Sequence, residues 1–307
     1  MLHEGRRNTG SLDRARQASL ARDDKVDGER SRRWSGVGKA ADACGILIFV
    51  TSTSLTRISY HLHPPVARIT LHNPPVNVID IPMMEQVSGA IADAEARAEV
   101  TVLIFGGGDK VFSAGVDVAA HTPDKVEEML AKFHAIFRRL VASRKVLVAA
   151  VHGHCLGGGA ELAMMCDVVI TSESAVWGFP EISLGCFPPV AAAALASLAG
   201  QKHAAELILT GRRFDGLEAR FLGLANWAVP DHQVKEKTDE VVARLGGLSP
   251  AALAVTKKAL YGWDAMHFDK GLARAEKAYL EELMRTEDVR EGVQAFLEKR
   301  EPRWRGR

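Results

Sequence analysis

Val148-Ala-Ala-Val-His-Gly-His-Cys-Leu-Gly-Gly-Gly-Ala-Glu-Leu-Ala-Met-Met-Cys-Asp167 is the stretch that decides the fold of this chain of 307 residues. The apolar run 146–151 predicts a buried strand and residues 160–166 predict a helix, so the three glycines 157–159 lie between them. Glycine allows unusual dihedrals there and lets a ligand approach the backbone closely. We expect the carboxylate after the glycines, Glu161, to be largely shielded from water, which is costly for an unpaired charge.

A second acid, Glu181, lies in a similar setting, in Trp177-Gly-Phe-Pro-Glu-Ile-Ser-Leu-Gly185. Two shielded carboxylates suggest a site where a proton is taken and given back. A structural alternative stays open, because a buried glutamate can also accept hydrogen bonds from backbone amides or pair with a lysine. The glycine triplet beside Glu161 favours the catalytic interpretation.

Backbone amides are the second chemical feature of this region. The first amides of a helix have no partner within it and carry the positive end of its dipole, so the turn around Gly158 suits an anion or a developing oxyanion. An earlier apolar strand and turn lead into Ser113, Ala114 and Gly115, small residues that would expose backbone amides near Val116. One amide from each segment could hold one carbonyl oxygen.

Strands that alternate with helices predict parallel sheets covered by helices, and hence an α/β fold. From Ala204 onward the pattern is helical only. Ser249 and Pro250 form a good helix start, with a capping hydroxyl and a proline in the first turn. The other predicted elements are strands at 66–71, 102–105, 146–151 and 168–171, and helices at 82–97, 125–143, 160–166, 264–285 and 287–300.

At three ordered motifs the chain resembles the crotonase superfamily, the enoyl-CoA hydratase/isomerase family. The motifs are Phe112-Ser-Ala-Gly-Val-Asp-Val118, Gly153-His-Cys-Leu-Gly-Gly-Gly-Ala-Glu-Leu-Ala163 and Phe179-Pro-Glu-Ile-Ser-Leu-Gly185, and the ending Glu291-Gly-Val-Gln-Ala-Phe-Leu-Glu-Lys-Arg-Glu-Pro-Arg303 is also similar. The resemblance spans about residues 55–304. It implies a crotonase-like spiral of β-β-α turns, followed by a C-terminal helical trimerisation region.

The resemblance also implies roles for single residues. The amides of Val116 and Gly158 would form an oxyanion hole for the thioester carbonyl of an acyl-CoA substrate. Glu161 and Glu181 match the two acids that hold the water in hydratases of this family. Two further residues match those that a neighbouring subunit lends to coenzyme A, namely Phe296 and Lys299, although Lys299 could equally be a solvated terminal charge. The expected assembly is a homotrimer or a dimer of trimers, and no cofactor is expected, since coenzyme A belongs to the substrate.

The chain departs from many family members after the second glutamate, where it reads Cys186-Phe-Pro-Pro-Val-Ala-Ala192. The bulk of Phe187 and Pro189 should reshape the acyl pocket. Together with Asn77-Val-Ile-Asp-Ile-Pro-Met-Met84, this stretch is similar to the cyclohexa-1,5-dienecarbonyl-CoA hydratase branch. Hydration of an α,β-unsaturated acyl-CoA is the leading interpretation. Its alternatives are double-bond isomerisation, hydrolytic ring cleavage as another crotonase-type reaction, and a non-enzymatic scaffold that binds RNA or a partner protein.

Charge and composition limit the partners and the domain organisation that can be expected. The net charge is +1, and residues 1–50 hold ten Lys/Arg against seven Asp/Glu, so the remainder is slightly acidic and nucleic acid is not expected as a partner. The apolar patch 46–50 is far too short to span a membrane, and a cytoplasmic location is expected. We expect a disordered or non-native extension at 1–53, an α/β core with the active site at 54–200, and a helical oligomerisation region at 201–307.

Histidines and cysteines give no metal-binding pattern. His152 and His154 stand two residues apart beside the glycine turn, and no third ligand is placed near them. The cysteines lack the close-pair spacing of zinc or redox motifs: Cys44, Cys155, Cys166 and Cys186. We therefore expect no bound metal and interpret the cysteines as reduced packing residues.

Overall fold

The computed structural model describes residues 55–108 and 110–307, apart from the side chains of Trp263 and Met266. The predicted extension at 1–53, including Cys44, lies outside the described residues. The described residues belong to one compact unit. The boundary predicted at residue 200 falls at Gly200, which separates two consecutive helices.

The main sheet of the described part has six strands, in the order β1-β2-β3-β4-β6-β9. Only β1 and β2 pair antiparallel, and the neighbours beyond them are parallel. Every residue of β3 and β4 is buried, as the apolar runs in the sequence predicted. The strands are Ile58–His63 (β1), Val66–Leu71 (β2), Val102–Gly106 (β3), Val146–Val151 (β4), Val168–Ser172 (β6) and Trp227–Val229 (β9).

A second sheet of three short strands carries the site. Its order is β5-β7-β8, from His154–Leu156 (β5), Val176–Gly178 (β7) and Arg213–Phe214 (β8). The strands β5 and β7 run parallel, with Leu156 opposite Gly178. Each is followed within a few residues by one of the two glutamates. The pairing of these two strands therefore brings the two predicted acids to the same edge.

Helices cover the sheets, and the predicted α/β fold is confirmed. They are Ile81–Ala96 (α1), Val126–Ala142 (α2), Gly158–Met164 (α3), Pro189–Ala199 (α4), Gln201–Thr210 (α5), Gly216–Phe221 (α6), Val234–Gly246 (α7), Pro250–Glu281 (α8) and Glu287–Leu297 (α9). Short 3₁₀ turns lie between them at Val118–His121, Pro180–Leu184, Asp231–Gln233 and Leu283–Arg285. Among the described residues, no helix combines the length and the apolar character needed to cross a membrane.

Two predictions about the second half of the chain were wrong. The pattern after Ala204 is not helical only, because β8 and β9 complete the two sheets there. Strands of two or three residues are too short to show the alternation that identifies a strand. The helices predicted from Pro250 and over 264–285 are one continuous helix, α8, whose N-terminus is capped by the Ser249 hydroxyl. Gly262 lowers the helix propensity within α8 without ending it.

A buried ion pair fastens α8 to the parallel sheet. The Lys257 ammonium on α8 lies 2.6 Å from the Asp167 carboxylate, and the two side chains are only 9% and 13% exposed. The same carboxylate oxygen accepts a hydrogen bond from the amide of Leu147 on β4. The ammonium also donates to the carbonyl oxygen of Lys145, next to β4. Both charges are thus hydrogen-bonded to backbone as well as to each other, as buried charges require.

We predict that Lys257→Met lowers the free energy of unfolding by about 3–5 kcal/mol, since it leaves the Asp167 carboxylate buried without its cation. Urea denaturation followed by circular dichroism measures the loss. Lys235→Met is the matched control, because Lys235 pairs with Asp239 at 2.6 Å on the exposed surface of α7, where such pairs contribute about 0–1 kcal/mol. Equal losses in the two variants would show that the buried pair does not stabilise the fold.

Candidate active site

The glycine triplet begins α3, as predicted from the sequence. Gly157 caps the helix with φ 52° and ψ −126°, a backbone conformation that side chains disfavour. A Cβ atom at this position would lie 2.5 Å from Oε1 of Glu181. The amide of Gly157 donates to the carbonyl oxygen of Gly178 at the end of β7. Glycine is therefore required both by the turn and by the close approach of the second acid.

The two segments predicted to supply amides lie side by side. Ser113 forms a parallel bridge with Cys155, and the amide of Leu156 donates to the carbonyl oxygen of Ser113 at 3.0 Å. A Cβ atom on Gly158 would lie 2.7 Å from Cγ2 of Val116. The structure thus brings Val116 and Gly158 together.

The amides of Val116 and Gly158 differ from those around them. The amides of Gly115, Asp117 and Gly157 donate to protein oxygens. Among the described residues, neither the Val116 amide nor the Gly158 amide donates a hydrogen bond to a protein acceptor. Two adjacent free amide donors fit a carbonyl or oxyanion oxygen.

Glu161 lies in α3 and is 2% exposed. Its Oε1 atom accepts a hydrogen bond of 2.9 Å from the amide of Ala191, in the first turn of α4. Burial raises the pKa of Glu161, and hydrogen bonds from the Ala191 and Val190 amides partly oppose that rise. Pro189 occupies the first turn of α4, where the missing amide is no loss.

Glu181 lies in the 3₁₀ turn after β7, and its carboxylate contacts the Gly157 turn. Its Oε2 atom is buried and has no hydrogen-bond partner among the described residues. Burial raises the pKa of Glu181, and the charge of Glu161 raises it further. The two acids therefore share one desolvated environment and influence each other, as the sequence analysis anticipated from their apolar surroundings.

Asn77 holds the loop that carries Val116, a role that the sequence analysis missed. Its side-chain amide donates to the carbonyl oxygens of Gly107 and Val111 at 2.8 and 2.9 Å. Its own carbonyl oxygen accepts a hydrogen bond from the Ser113 hydroxyl. Asn77 has φ 52°, a left-handed conformation in which asparagine is enriched. The sequence signal that was available for this role is an asparagine shortly after the turn-forming pair Pro74-Pro75.

The two residues predicted to bind coenzyme A lie at the end of α9 and just beyond it. Phe296, near the end of α9, is 54% exposed, and Lys299 follows the helix with φ 54°. The described residues contain no group of three or more His, Cys, Asp or Glu side chains that could hold a metal ion. The predicted contact of Phe296 and Lys299 with a neighbouring subunit's substrate stays a prediction.

The raised pKa of Glu181 predicts an unusual pH dependence of stability. In the folded protein Glu181 keeps a proton that it releases in the unfolded chain. The contribution of this protonated carboxyl to the free energy of unfolding is therefore fully present below the ordinary glutamate pKa. It is lost as the pH rises through the folded-state pKa. We therefore expect Glu181→Gln to become increasingly more stable than the parent chain between about pH 5 and about pH 9. Thermal melts at several pH values measure this trend.

Glu127→Gln, at an exposed position of α2, is the matched control for that series. It removes one carboxylate without changing the buried pair. A stability difference for Glu181→Gln that stays flat with pH would show that the Glu181 carboxylate is not destabilised by burial.

The chain is similar to known proteins over most of its length. The family model described as enoyl-CoA hydratase/isomerase matches residues 63–307. A probable enoyl-CoA hydratase of Bacillus subtilis is 35% identical over 82% of this chain and 100% of its own length. The cyclohexa-1,5-dienecarbonyl-CoA hydratase of Thauera aromatica is 34% identical over 78% of this chain and 93% of its own length. The crystal structure of an enoyl-CoA hydratase from Mycobacterium avium subsp. paratuberculosis superposes with a TM-score of 0.75 at 27% identity, covering 81% of this chain and 98% of that chain. The predicted crotonase-type fold is confirmed, and the chain is an enzyme of the enoyl-CoA hydratase/isomerase family.

Proposed function

We propose that this enzyme adds water across the double bond of an α,β-unsaturated acyl-CoA thioester. The observation that carries the proposal is the pair formed by the buried Glu161 and by Glu181, whose Oε2 atom is buried, beside two free backbone amides. Hydration needs a base for the water and an acid for the carbon that becomes the carbanion. It also needs donors for the charge that develops on the thioester oxygen.

The amides of Val116 and Gly158 hold the thioester carbonyl oxygen in this mechanism. As the oxygen of water bonds to the β-carbon, one glutamate takes a proton from the water. Electrons of the double bond move toward the thioester, and the resulting enolate is stabilised by the two amides. The other glutamate then gives its proton to the α-carbon, so one water molecule is added in total. Apart from the coenzyme A of the substrate, this reaction uses no cofactor.

The hydrogen bonds distinguish the two acids. Glu161 accepts a backbone amide, which favours its ionised form. One carboxylate oxygen of Glu181 has no hydrogen-bond partner among the described residues, and the charge of Glu161 raises the pKa of Glu181 further. We therefore assign Glu161 as the base that activates water, and Glu181 as the acid that protonates the α-carbon.

Two buried acids favour hydration over double-bond isomerisation, in which one glutamate can shuttle the proton by itself. The proposal covers the class of α,β-unsaturated acyl-CoA thioesters and not one acyl group. A cyclic dienoyl-CoA is one candidate in this class, because of the Thauera relative and the bulky Phe187. The enzyme is proposed to act as a homotrimer or a dimer of trimers, with Phe296 and Lys299 contributing to a neighbouring subunit's coenzyme A site.

Incubation with linear, branched and cyclic enoyl-CoA esters tests the proposal. Mass spectrometry should show the gain of one water molecule for at least one ester, whereas isomerisation would leave the mass unchanged. Glu161→Gln and Glu181→Gln should each reduce turnover by about 10²–10⁴-fold, the usual contribution of a general acid or base. Circular dichroism checks that both variants fold.

The variants also exclude a contaminating hydratase, which would add water equally well in every preparation. Near-normal turnover in either glutamine variant would remove that residue from the mechanism. The absence of any mass gain across the panel, with coenzyme A esters bound, would contradict the proposed reaction.

We further predict that Gly158→Ala reduces turnover by about 10²–10³-fold, the scale of one lost oxyanion donor. The added Cβ would lie 2.7 Å from Cγ2 of Val116 and 2.8 Å from Cζ of Phe133, so it must displace the loop that carries the other amide. Steady-state kinetics measure the effect. Gly89→Ala on α1 is the matched control, since its Cβ would meet no atom within 4 Å. Unchanged turnover in Gly158→Ala would place the carbonyl oxygen elsewhere.

A further inference from the structure

Tyr279 on α8 is a buried polar residue that the proposed mechanism does not use. It is 1% exposed, and its hydroxyl has no hydrogen-bond partner among the described residues. Buried tyrosine hydroxyls usually find a partner, because an unpaired polar group in an apolar environment costs free energy. An unpartnered buried phenol therefore calls for a structural or functional reason.

The surroundings of Tyr279 connect it to the segment that carries Glu181. Its ring packs against Phe187, with ring centroids 5.2 Å apart and planes tilted by 59°. The Cys186 thiol lies beside the hydroxyl, although the contact does not reach hydrogen-bond geometry. The amide of Cys186 in turn donates to the backbone carbonyl oxygen of Glu181 at 3.1 Å.

The helix that carries Tyr279 is held close to the site. A Cβ atom on Gly271 of α8 would lie 3.3 Å from Cβ of Ala193 on α4. The helix α4 is the one whose first turn binds Glu161 through the amide of Ala191. Tyr279 and the acid pair thus belong to one tightly packed unit.

The chemistry of the cluster limits what can bind there. Burial and the nearby Cys186, Glu181 and Glu161 raise the pKa of Tyr279, so its hydroxyl stays protonated and acts as a donor. The Oε2 atom of Glu181 is a buried acceptor without a partner. The oxygen of a water or an alcohol can accept a hydrogen bond from the Tyr279 hydroxyl and donate one to Oε2 of Glu181.

We propose that the Tyr279 hydroxyl binds the oxygen that is added to the acyl chain. That oxygen belongs to water in the hydration direction and to the 3-hydroxyl group of the product in the reverse direction. This inference rests on the proposed hydratase function. Tyr279 transfers no proton in this scheme, and it holds the oxygen in position between the two acids.

Binding of butanoyl-CoA and 3-hydroxybutanoyl-CoA tests the inference, because the two ligands differ only in that oxygen. Isothermal titration is carried out in a Glu161→Gln background, so that the hydroxy ligand is not dehydrated during the measurement. Tyr279→Phe should lower the affinity for 3-hydroxybutanoyl-CoA by about 3- to 10-fold, the scale of one hydrogen bond. The affinity for butanoyl-CoA should change by no more than about twofold. The melting temperature should not fall, since the lost hydroxyl has no protein partner.

Tyr261→Phe is the matched control. Tyr261 is the other tyrosine of α8 and lies half-buried beside Asp167, away from the acid pair. It should leave the ratio of the two affinities unchanged.

Equal weakening of both ligands, or an unchanged ratio, in Tyr279→Phe would overturn the role of Tyr279 while the hydratase proposal stands. A large fall in melting temperature would show that the hydroxyl is a structural hydrogen-bonding group, and would also overturn it. If the parent chain binds neither ligand, the acyl-CoA function itself fails and the inference fails with it.

Discussion

The parallel pairing of β5 with β7 is the constraint on which the site depends. Leu156 lies opposite Gly178, and the amide of Gly157 donates to the carbonyl oxygen of Gly178. Each three-residue strand leads directly into the segment that carries one glutamate. A slip of one residue in this register would turn alternate side chains to the opposite face. The distance between the acids is therefore set by backbone hydrogen bonds.

The same pairing sets the electrostatics. Two carboxylates in one desolvated environment cannot both ionise without a large cost, so the pair titrates as a unit. Among the described residues, no lysine or arginine pairs with Glu161 or Glu181, so the structural alternative of a lysine pair does not apply. The Ala191 amide makes the two acids unequal. In the proposed mechanism, the hydrogen bonds from the Ala191 and Val190 amides thus favour Glu161 as the base.

The strong local signals of the sequence predicted most of the sheet and both acids. The apolar run of β4 and the glycines at 157–159 are patterns of a few consecutive residues, so predicting their structure requires no knowledge of distant contacts. The buried position of Tyr279 could not be predicted, because it depends on how α8 packs against the other elements. The positive φ of Asn77 and the two-residue strand β8 carry equally weak local patterns. What the sequence did not reveal depends on tertiary packing.

The helix α8 contacts the elements that carry and bind the first acid. Lys257 fixes its N-terminal half to Asp167, just beyond the end of α3, and Gly271 allows close contact with α4. These are the helix that carries Glu161 and the helix that binds its carboxylate. The same helix carries Tyr279, whose ring packs against Phe187. Desolvation is the largest cause of the raised pKa values of Glu161 and Glu181. The acid–base chemistry therefore depends on how tightly the elements around the two acids pack.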